Sequence, residues 1–205
     1  EHGNVAIRDK VAYVPQKPWI TCATVKENIV MDKGYDPALY RTALTASGLE
    51  GDLKNLPNGD QTEIGERGVT LSGGQKQRIS LARAIYSERK IVIFDDPLSA
   101  VDMNVGTFIF NECVMKVMKD CTRVMTTNQL HHLEFADRVI LVSGNRVKVW
   151  GTKEDIQRSG SALSSFVRQS SANAGAQTGL KAEAKEGGGE ESLGDQSSGS
   201  MIQVE

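Results

Sequence analysis

Short apolar runs alternate with amphipathic segments along the first 150 residues. The runs at 11–14 and 91–94 predict buried strands, and residues 123–126 predict another short strand. Residues 56–70, rich in Pro, Asn, Gly and charge, predict a loop with a short hairpin. Capping signals predict helices at roughly 24–31 and 37–47, and apolar positions at helical spacing predict helices at roughly 75–85 and 103–118. This alternation predicts an α/β domain with a largely parallel sheet.

Polar residues mark the ends of these helices. Thr24 with Glu27 has the pattern of a capping box, and Asp36 is an N-cap residue followed by a proline. Gly48 stops the second helix, and Ser72 caps the third. In the fourth helix we expect four apolar side chains to face inward, namely Val105, Phe108, Ile109 and Val117.

The remaining segments are shorter. A helix is expected near 129–135, and residues 138–142 and 146–150 flank a Ser-Gly-Asn turn, which predicts a hairpin. Thr152 caps a last short helix, and residues 161–169 predict one more.

Composition limits the function. The 205 residues carry 24 basic and 26 acidic side chains, for a net charge of −2, which excludes a strongly basic nucleic-acid binder. No apolar run approaches the roughly 18 residues of a membrane-spanning helix, and the three scattered cysteines do not form a disulfide framework. The chain begins with Glu1 and no signal peptide is visible, so we expect either a piece of a longer protein or a processed product.

The end of the chain differs in composition from the rest. Residues 171–205 carry a net charge of −4, which leaves +2 for residues 1–170, and they contain seven Gly, five Ser and no aromatic residue. Such a segment cannot bury enough apolar surface to offset the entropy of ordering. We expect a partial domain at 1–170 and a disordered acidic Gly/Ser-rich linker at 171–205, with a poorly formed terminal helix as the alternative.

Two sets of polar residues stand where ligands bind in parallel sheets. Asp95 and Asp96 end the second predicted strand, and their carboxylate oxygens suit Mg²⁺, although aspartates also cap ordinary turns. Ser72, Gly73, Gly74 and Gln75 open a helix whose N–H groups and hydroxyl could hold an anion. The alternative is a serine N-cap with glycines in an ordinary turn.

Taken together, these segments resemble a known family. Residues 71–84 and 91–102 closely resemble the nucleotide-binding domain of ATP-binding cassette (ABC) transporters. Residues 65–75 and 95–102 are similar to the first such domain of the C subfamily, the multidrug-resistance-associated exporters. The resemblance runs from about residue 11 to residue 152. It implies a P-loop NTPase-like cassette with a mostly parallel sheet and a helical signature subdomain, using ATP and Mg²⁺.

The resemblance assigns roles by position. Gln16 matches the Q-loop glutamine, which contacts Mg²⁺ and couples the site to the transmembrane part. Ser72–Gln75 matches the signature motif, which grips the γ-phosphate of ATP held by the opposite domain. Asp95 matches the Walker B aspartate that orders Mg²⁺, and Asp102 ends the D-loop, a contact between the two sites.

The chain departs from the family at three places. Asp96 stands where a competent cassette has the glutamate general base, and Asn128 stands where the switch histidine is expected. No Gly-Lys pair occurs, so the phosphate-binding G-x-x-x-x-G-K-[ST] loop is missing. These departures imply a cassette that is N-terminally truncated, that binds ATP poorly alone and whose own site hydrolyses slowly.

The resemblance implies part of an exporter that couples ATP hydrolysis to transport of organic anions, conjugates or drugs. Its partners would be a second nucleotide-binding domain and transmembrane domains, at the cytoplasmic face of a membrane, with no nucleic acid. One alternative is a non-catalytic or truncated remnant. The other is a soluble ABC ATPase, which residues 18–29 argue against because transporters resemble the chain there.

Overall fold

The computed structural model describes residues 7, 9–65, 68–144 and 146–158, which fall into two units divided after Gln129. The predicted helix at 161–169 and the predicted linker at 171–205 lie outside the described residues. The first unit contains, in chain order, β1 (Val11–Val14), β2 (Ala23–Thr24), α1 (Val25–Val30), α2 (Pro37–Ala46), α3 (Glu50–Leu53), a 3₁₀ turn (Gly59–Gln61), β3 (Glu63–Ile64), α4 (Gly73–Tyr86), β4 (Ile91–Asp95), α5 (Met103–Ile109) with a π-helical continuation (Phe110–Val117), and β5 (Thr122–Thr126).

A three-stranded parallel sheet in the order β1-β4-β5 organises the first unit, which confirms the prediction of an α/β fold. One face is buried in the core with α1, α2 and α4, and it includes Val14 and Phe94, both fully buried. On the other face Tyr13 is 55% exposed and Val124 is 53% exposed, and both pair in register with Ile93. The sheet therefore packs on one side only within the described residues.

The predicted helix ends are confirmed. The Thr24 hydroxyl accepts a hydrogen bond from the backbone N–H of Glu27, and the Glu27 carboxylate accepts one from the N–H of Thr24. Asp36 accepts from the N–H groups of the second and third residues after it, at 2.9 and 3.1 Å. After α2, Gly48 has a φ of +70°, in the left-handed region where glycine carries no steric penalty.

The prediction for the helix at 103–118 was partly wrong. Ile109 is fully buried, but Phe108 is 43% exposed and Val117 is 37% exposed. From Phe110 the helix widens into π-type turns, and the N–H of Met118 donates to the carbonyl of the residue five positions earlier. Because a wider turn rotates the following residues about the axis, the buried side chains of this segment are Phe110, Cys113 and Val114, and Val117 turns outward. Phe108 precedes the segment, so its exposure has no such explanation.

The predicted hairpin within residues 56–70 was also wrong, because the two-residue strand β3 pairs with β2 instead, antiparallel. In the second unit the helix expected near 129–135 is a 3₁₀ segment, Leu130–Phe135. The hairpin expected after it is confirmed as β6 (Val139–Ser143) and β7 (Arg146–Gly151), and the capped short helix as α6 (Lys153–Arg158). None of the helices in the described residues is long and apolar enough to cross a membrane.

Candidate functional site

The carboxyl ends of β1, β4 and β5 bring together four polar side chains. Asp95 is the last residue of β4 and pairs in register with Thr126, the last residue of β5. Gln16 follows β1 by two residues, and its amide Nε2 donates to Asp96 Oδ2 at 3.3 Å. Three of the predicted site residues, Gln16, Asp95 and Asp96, therefore meet at one sheet edge.

Two hydroxyl groups fix the Asp95 carboxylate. The Tyr13 hydroxyl donates to Oδ2 at 2.9 Å, and the Thr126 hydroxyl donates to Oδ1 at 3.0 Å. The hydrogen bond to Asp95 raises the pKa of Tyr13 above its usual value. Because each carboxylate oxygen has two lone pairs, both oxygens can still accept a further partner. Neither hydroxyl was recognised from the sequence.

Asp96 has an unusual backbone. Its φ is +44°, a left-handed conformation that aspartate tolerates better than most residues. Its N–H donates to both the carbonyl and the hydroxyl of Thr126, at 3.1 and 3.0 Å. The Asp96 side chain is thereby held at the sheet edge, against the Gln16 amide.

The donor set at this edge fits Mg²⁺. It consists of the carboxylate of Asp95 and the amide oxygen of Gln16, both of them hard oxygen ligands. Among the described residues no group of three or more His, Cys, Asp or Glu could hold a metal ion. One carboxylate is nevertheless enough, since Mg²⁺ in nucleotide sites is held by one or two carboxylates together with phosphate oxygens and water.

Asn128 lies in the loop two residues after β5, and its side chain is exposed. The preceding Thr127 hydroxyl accepts a hydrogen bond from the N–H of Gln129 at 3.0 Å, which fixes the turn around Asn128. The amide of Asn128 can donate and accept hydrogen bonds, but unlike histidine it cannot carry a proton at neutral pH.

The residues at the start of α4 form a second group. The Ser72 hydroxyl accepts a hydrogen bond from the N–H of Gln75 at 3.2 Å, and the Gln75 side chain accepts from the N–H of Ser72 at 2.9 Å. A Cβ on Gly73 would meet nothing within 4 Å, whereas a Cβ on Gly74 would lie 3.2 Å from the carbonyl oxygen of Ala100. The backbone at Gly73 is therefore open to an approaching anion, and the Ser72 hydroxyl proton remains available to it.

Asp102 has a structural task in addition to its predicted place in the D-loop. Its carboxylate accepts hydrogen bonds from the N–H groups of Asn104 and Val105, at 2.9 and 3.3 Å, and so caps α5. Among the described hydrogen bonds, none joins Ser72–Gln75 to the Asp95 edge. The two groups of predicted site residues are therefore separately built.

A side-chain network that the sequence did not reveal holds the segment after Gln16. The Arg83 guanidinium stacks 3.7 Å from the centre of the Trp19 ring and donates to the carbonyl of Asn28 at 2.7 Å. The buried Asn28 amide in turn binds the backbone of Thr21 and Thr24. Burial lowers the pKa of Arg83 to about 10, well within the range where the side chain stays charged at neutral pH. These partners are up to 64 residues apart, so no local pattern announces them.

Comparison with known proteins is consistent with this geometry. The family model described as "ABC transporter" matches residues 2–99. ABC transporter C family member 3 of Dictyostelium discoideum is 46% identical over 154 residues, which are 75% of this chain and 11% of that protein. The ABC-type transporter cicA of Emericella nidulans is 43% identical over 156 residues, 76% of this chain and 11% of that protein.

A mammalian protein shows the same relation. ATP-binding cassette sub-family C member 10 of Mus musculus is 46% identical over 141 residues, which are 69% of this chain and 9% of that protein. The chain thus spans about a tenth of the length of the curated relatives it matches. The residues matched by the family model include β1, the start of α4, and β4 with Asp95. The chain belongs to the ABC transporter family, with a P-loop NTPase-type nucleotide-binding domain of the C-family kind.

Proposed function

We propose that this chain is part of an ATP-driven exporter that moves organic anions, conjugates or drugs across a membrane. It would lie at the cytoplasmic face and work with a second nucleotide-binding domain and with transmembrane domains of the same transporter. The names of its C-family relatives support a transporter rather than a soluble ATPase. The proposal rests on one observation. The same cassette has an unchanged signature motif, Ser72–Gln75, and has Asp96 and Asn128 where the family has a glutamate and a histidine.

The cassette's own site is proposed to hydrolyse ATP slowly. A general base must reach within about 2.6–3.2 Å of the proton that it removes, directly or through one water. Asp96 is one methylene shorter than glutamate, and its carboxylate accepts a hydrogen bond from Gln16, which holds it close to the sheet edge. Asn128 would contact the γ-phosphate only by neutral hydrogen bonds, with no positive charge to stabilise the transition state.

Asp95 and Gln16 would hold Mg²⁺ in this site. The ion, when bound, neutralises phosphate charge and orients the oxygens that react. Tyr13 and Thr126 keep the Asp95 carboxylate in one orientation, which lowers the cost of binding. Because no Gly-Lys pair occurs in the 205 residues, this chain alone lacks the phosphate-binding loop and is expected to bind ATP poorly.

Ser72–Gln75 is proposed to complete the site of the partner domain, which would be the faster one. The Ser72 hydroxyl and the free N–H groups at the start of α4 can donate to a γ-phosphate, and the positive end of the helix favours its charge. The two groups are separately built, so each can serve a different nucleotide.

The test uses the full-length transporter in inside-out membrane vesicles, with ATP hydrolysis and ATP-dependent uptake of labelled glutathione conjugates as readouts. We expect Ser72→Arg to reduce hydrolysis at least tenfold, because a bulky cation then occupies the phosphate-binding surface, and Asp96→Asn to reduce it less than twofold. Asp120→Asn, at an exposed turn, is the matched control. Equal losses from Ser72→Arg and Asp96→Asn would contradict the asymmetric model.

The altered edge also favours a second candidate, a non-catalytic cassette that only regulates or assembles with its partners. In that case Ser72→Arg would leave hydrolysis at the level of the Asp120→Asn control. Wild-type vesicles that hydrolyse ATP but take up none of a panel of organic anions would refute the exporter proposal while leaving the ATPase intact.

A further inference from the structure

A partly buried ion pair joins α3 to the first turns of α4. The Arg78 guanidinium donates to both carboxylate oxygens of Asp52, from Nε at 2.6 Å and from the second terminal nitrogen at 2.8 Å. Each side chain is only 15% exposed. The same Asp52 carboxylate accepts a third hydrogen bond, from Gln75 Nε2 at 3.3 Å. Asp52 lies in α3, 23 residues before Gln75, so α3 and the start of α4 are joined at one carboxylate.

Gln75 uses both ends of its side chain inside the protein. Its Oε1 accepts from the backbone N–H of Ser72, and its Nε2 donates to Asp52. The side chain therefore connects the N-cap residue of α4 to the ion pair, and it does not point toward a ligand. Of the signature residues, the Ser72 hydroxyl and the open backbone at Gly73 are left to bind phosphate.

We propose that Asp52 is a positioning residue for the signature motif, acting through Gln75. The inference rests on the proposed function, in which Ser72 binds the nucleotide of the partner domain. Arg78 fixes the Asp52 carboxylate with two hydrogen bonds, and this carboxylate holds the Gln75 side chain in one place. Gln75 in turn fixes the position of the Ser72 N–H. Shifts of about 1 Å in such groups cost up to 100-fold in rate, so a short helix outside the nucleotide site influences turnover.

The test compares Asp52→Asn and Asp52→Glu in the full-length transporter. Asparagine keeps the size but loses the charge and one acceptor, so we expect kcat to fall about tenfold with KM for ATP changed less than threefold. Glutamate keeps the ion pair with the flexible Arg78 but moves the carboxylate past Gln75. It should unfold within about 2 °C of wild type and still lose several-fold in kcat. Asp120→Asn should match wild type.

A double-mutant cycle separates positioning from a general structural role. In a Gln75→Leu background the path through Gln75 is already broken, so Asp52→Glu should change kcat less than twofold. Equal fold-losses from Asp52→Glu with and without Gln75→Leu would overturn the proposal. Unchanged kcat in a normally folded Asp52→Glu transporter would overturn it as well.

Hydrogen exchange gives a readout that does not depend on hydrolysis. The backbone N–H of Ser72 is held by Gln75, so its exchange in the full-length protein should become at least fivefold faster in Asp52→Glu. Unchanged exchange would refute the positioning role. A wild-type protein without ATPase activity would refute the proposed function, and the exchange result would still decide the role of Asp52.

Discussion

The Tyr86 hydroxyl offers a clean test of how α4 is tied to the rest of the first unit. Tyr86 is the last residue of α4 and is 1% exposed. Its hydroxyl donates to the carbonyl of Gly34 at 2.6 Å and accepts from the N–H of Asp36 at 2.7 Å. Asp36 is the N-cap residue of α2, so one phenol joins the end of one helix to the start of another.

Tyr86→Phe removes both hydrogen bonds. Because only the hydroxyl group is lost, the substitution leaves no large cavity. Each hydrogen bond contributes about 1 kcal/mol net, and a buried group left unpaired costs about 1–3 kcal/mol. Gly34 and Asp36 are both exposed residues, so water can replace part of each lost bond. The expected loss in free energy of unfolding is therefore about 2 kcal/mol, nearer the sum of two net bonds than two full desolvation penalties.

Urea unfolding of the chain, followed by the fluorescence of Trp19 in a Trp150→Phe background, measures this loss. With a slope of about 1–3 kcal/mol per molar urea, the midpoint should fall by about 0.7–2 M. Tyr35→Phe is the matched control, because Tyr35 is 51% exposed and keeps its ring contact with Tyr40 as phenylalanine. Coincident midpoints for Tyr86→Phe and Tyr35→Phe would refute the assignment of the stability to the two hydrogen bonds.

Two further predictions concern titratable groups. Burial and the neighbouring His131 lower the pKa of His132 to about 4 from 6.5. The contribution of neutral His132 to the free energy of unfolding is therefore complete above pH 6.5 and is lost as the pH falls toward 4. At pH 5 the loss is about 2 kcal/mol, visible in the emission of Trp150 and abolished by His132→Gln. Burial raises the pKa of Cys113 to about 12, whereas Cys22 is exposed. Iodoacetamide should therefore alkylate Cys22 in the native chain and Cys113 only in denaturant, and peptide mass spectrometry measures both reactions.

Much of the fold, and the meeting of Gln16, Asp95 and Asp96 at one sheet edge, could be predicted from the sequence because the signals are local. The capping residues Thr24, Asp36 and Ser72 act on N–H groups within three positions, so their sequence pattern is the interaction itself. The meeting of Gln16 with Asp96 follows from strand direction alone, since parallel strands end at one edge.

The missed features depend on contacts that the local pattern does not contain. Asp52 and Arg78 lie on different helices, and in the sequence each resembles an ordinary polar residue of a helix surface. They can pair only after the two helices have packed together. The inward expectation for Val117 assumed 3.6 residues per turn, and the π-helical segment Phe110–Val117 changes that period. The stacking of Arg83 on Trp19 likewise depends on the path of the loop after β1.

The parallel sheet also determines the order in which the site can assemble during synthesis. Asp96 is 30 residues from its partner Thr126 but 80 residues from its partner Gln16. Closing the longer loop costs about 0.9 kcal/mol more in chain entropy, by the logarithmic dependence on loop length. Gln16 leaves the ribosome first, but four α-helices and three strands must be synthesised before its partner Asp96 exists. The sheet edge that carries Gln16, Asp95 and Asp96 is therefore completed late in folding, only after α4 has emerged.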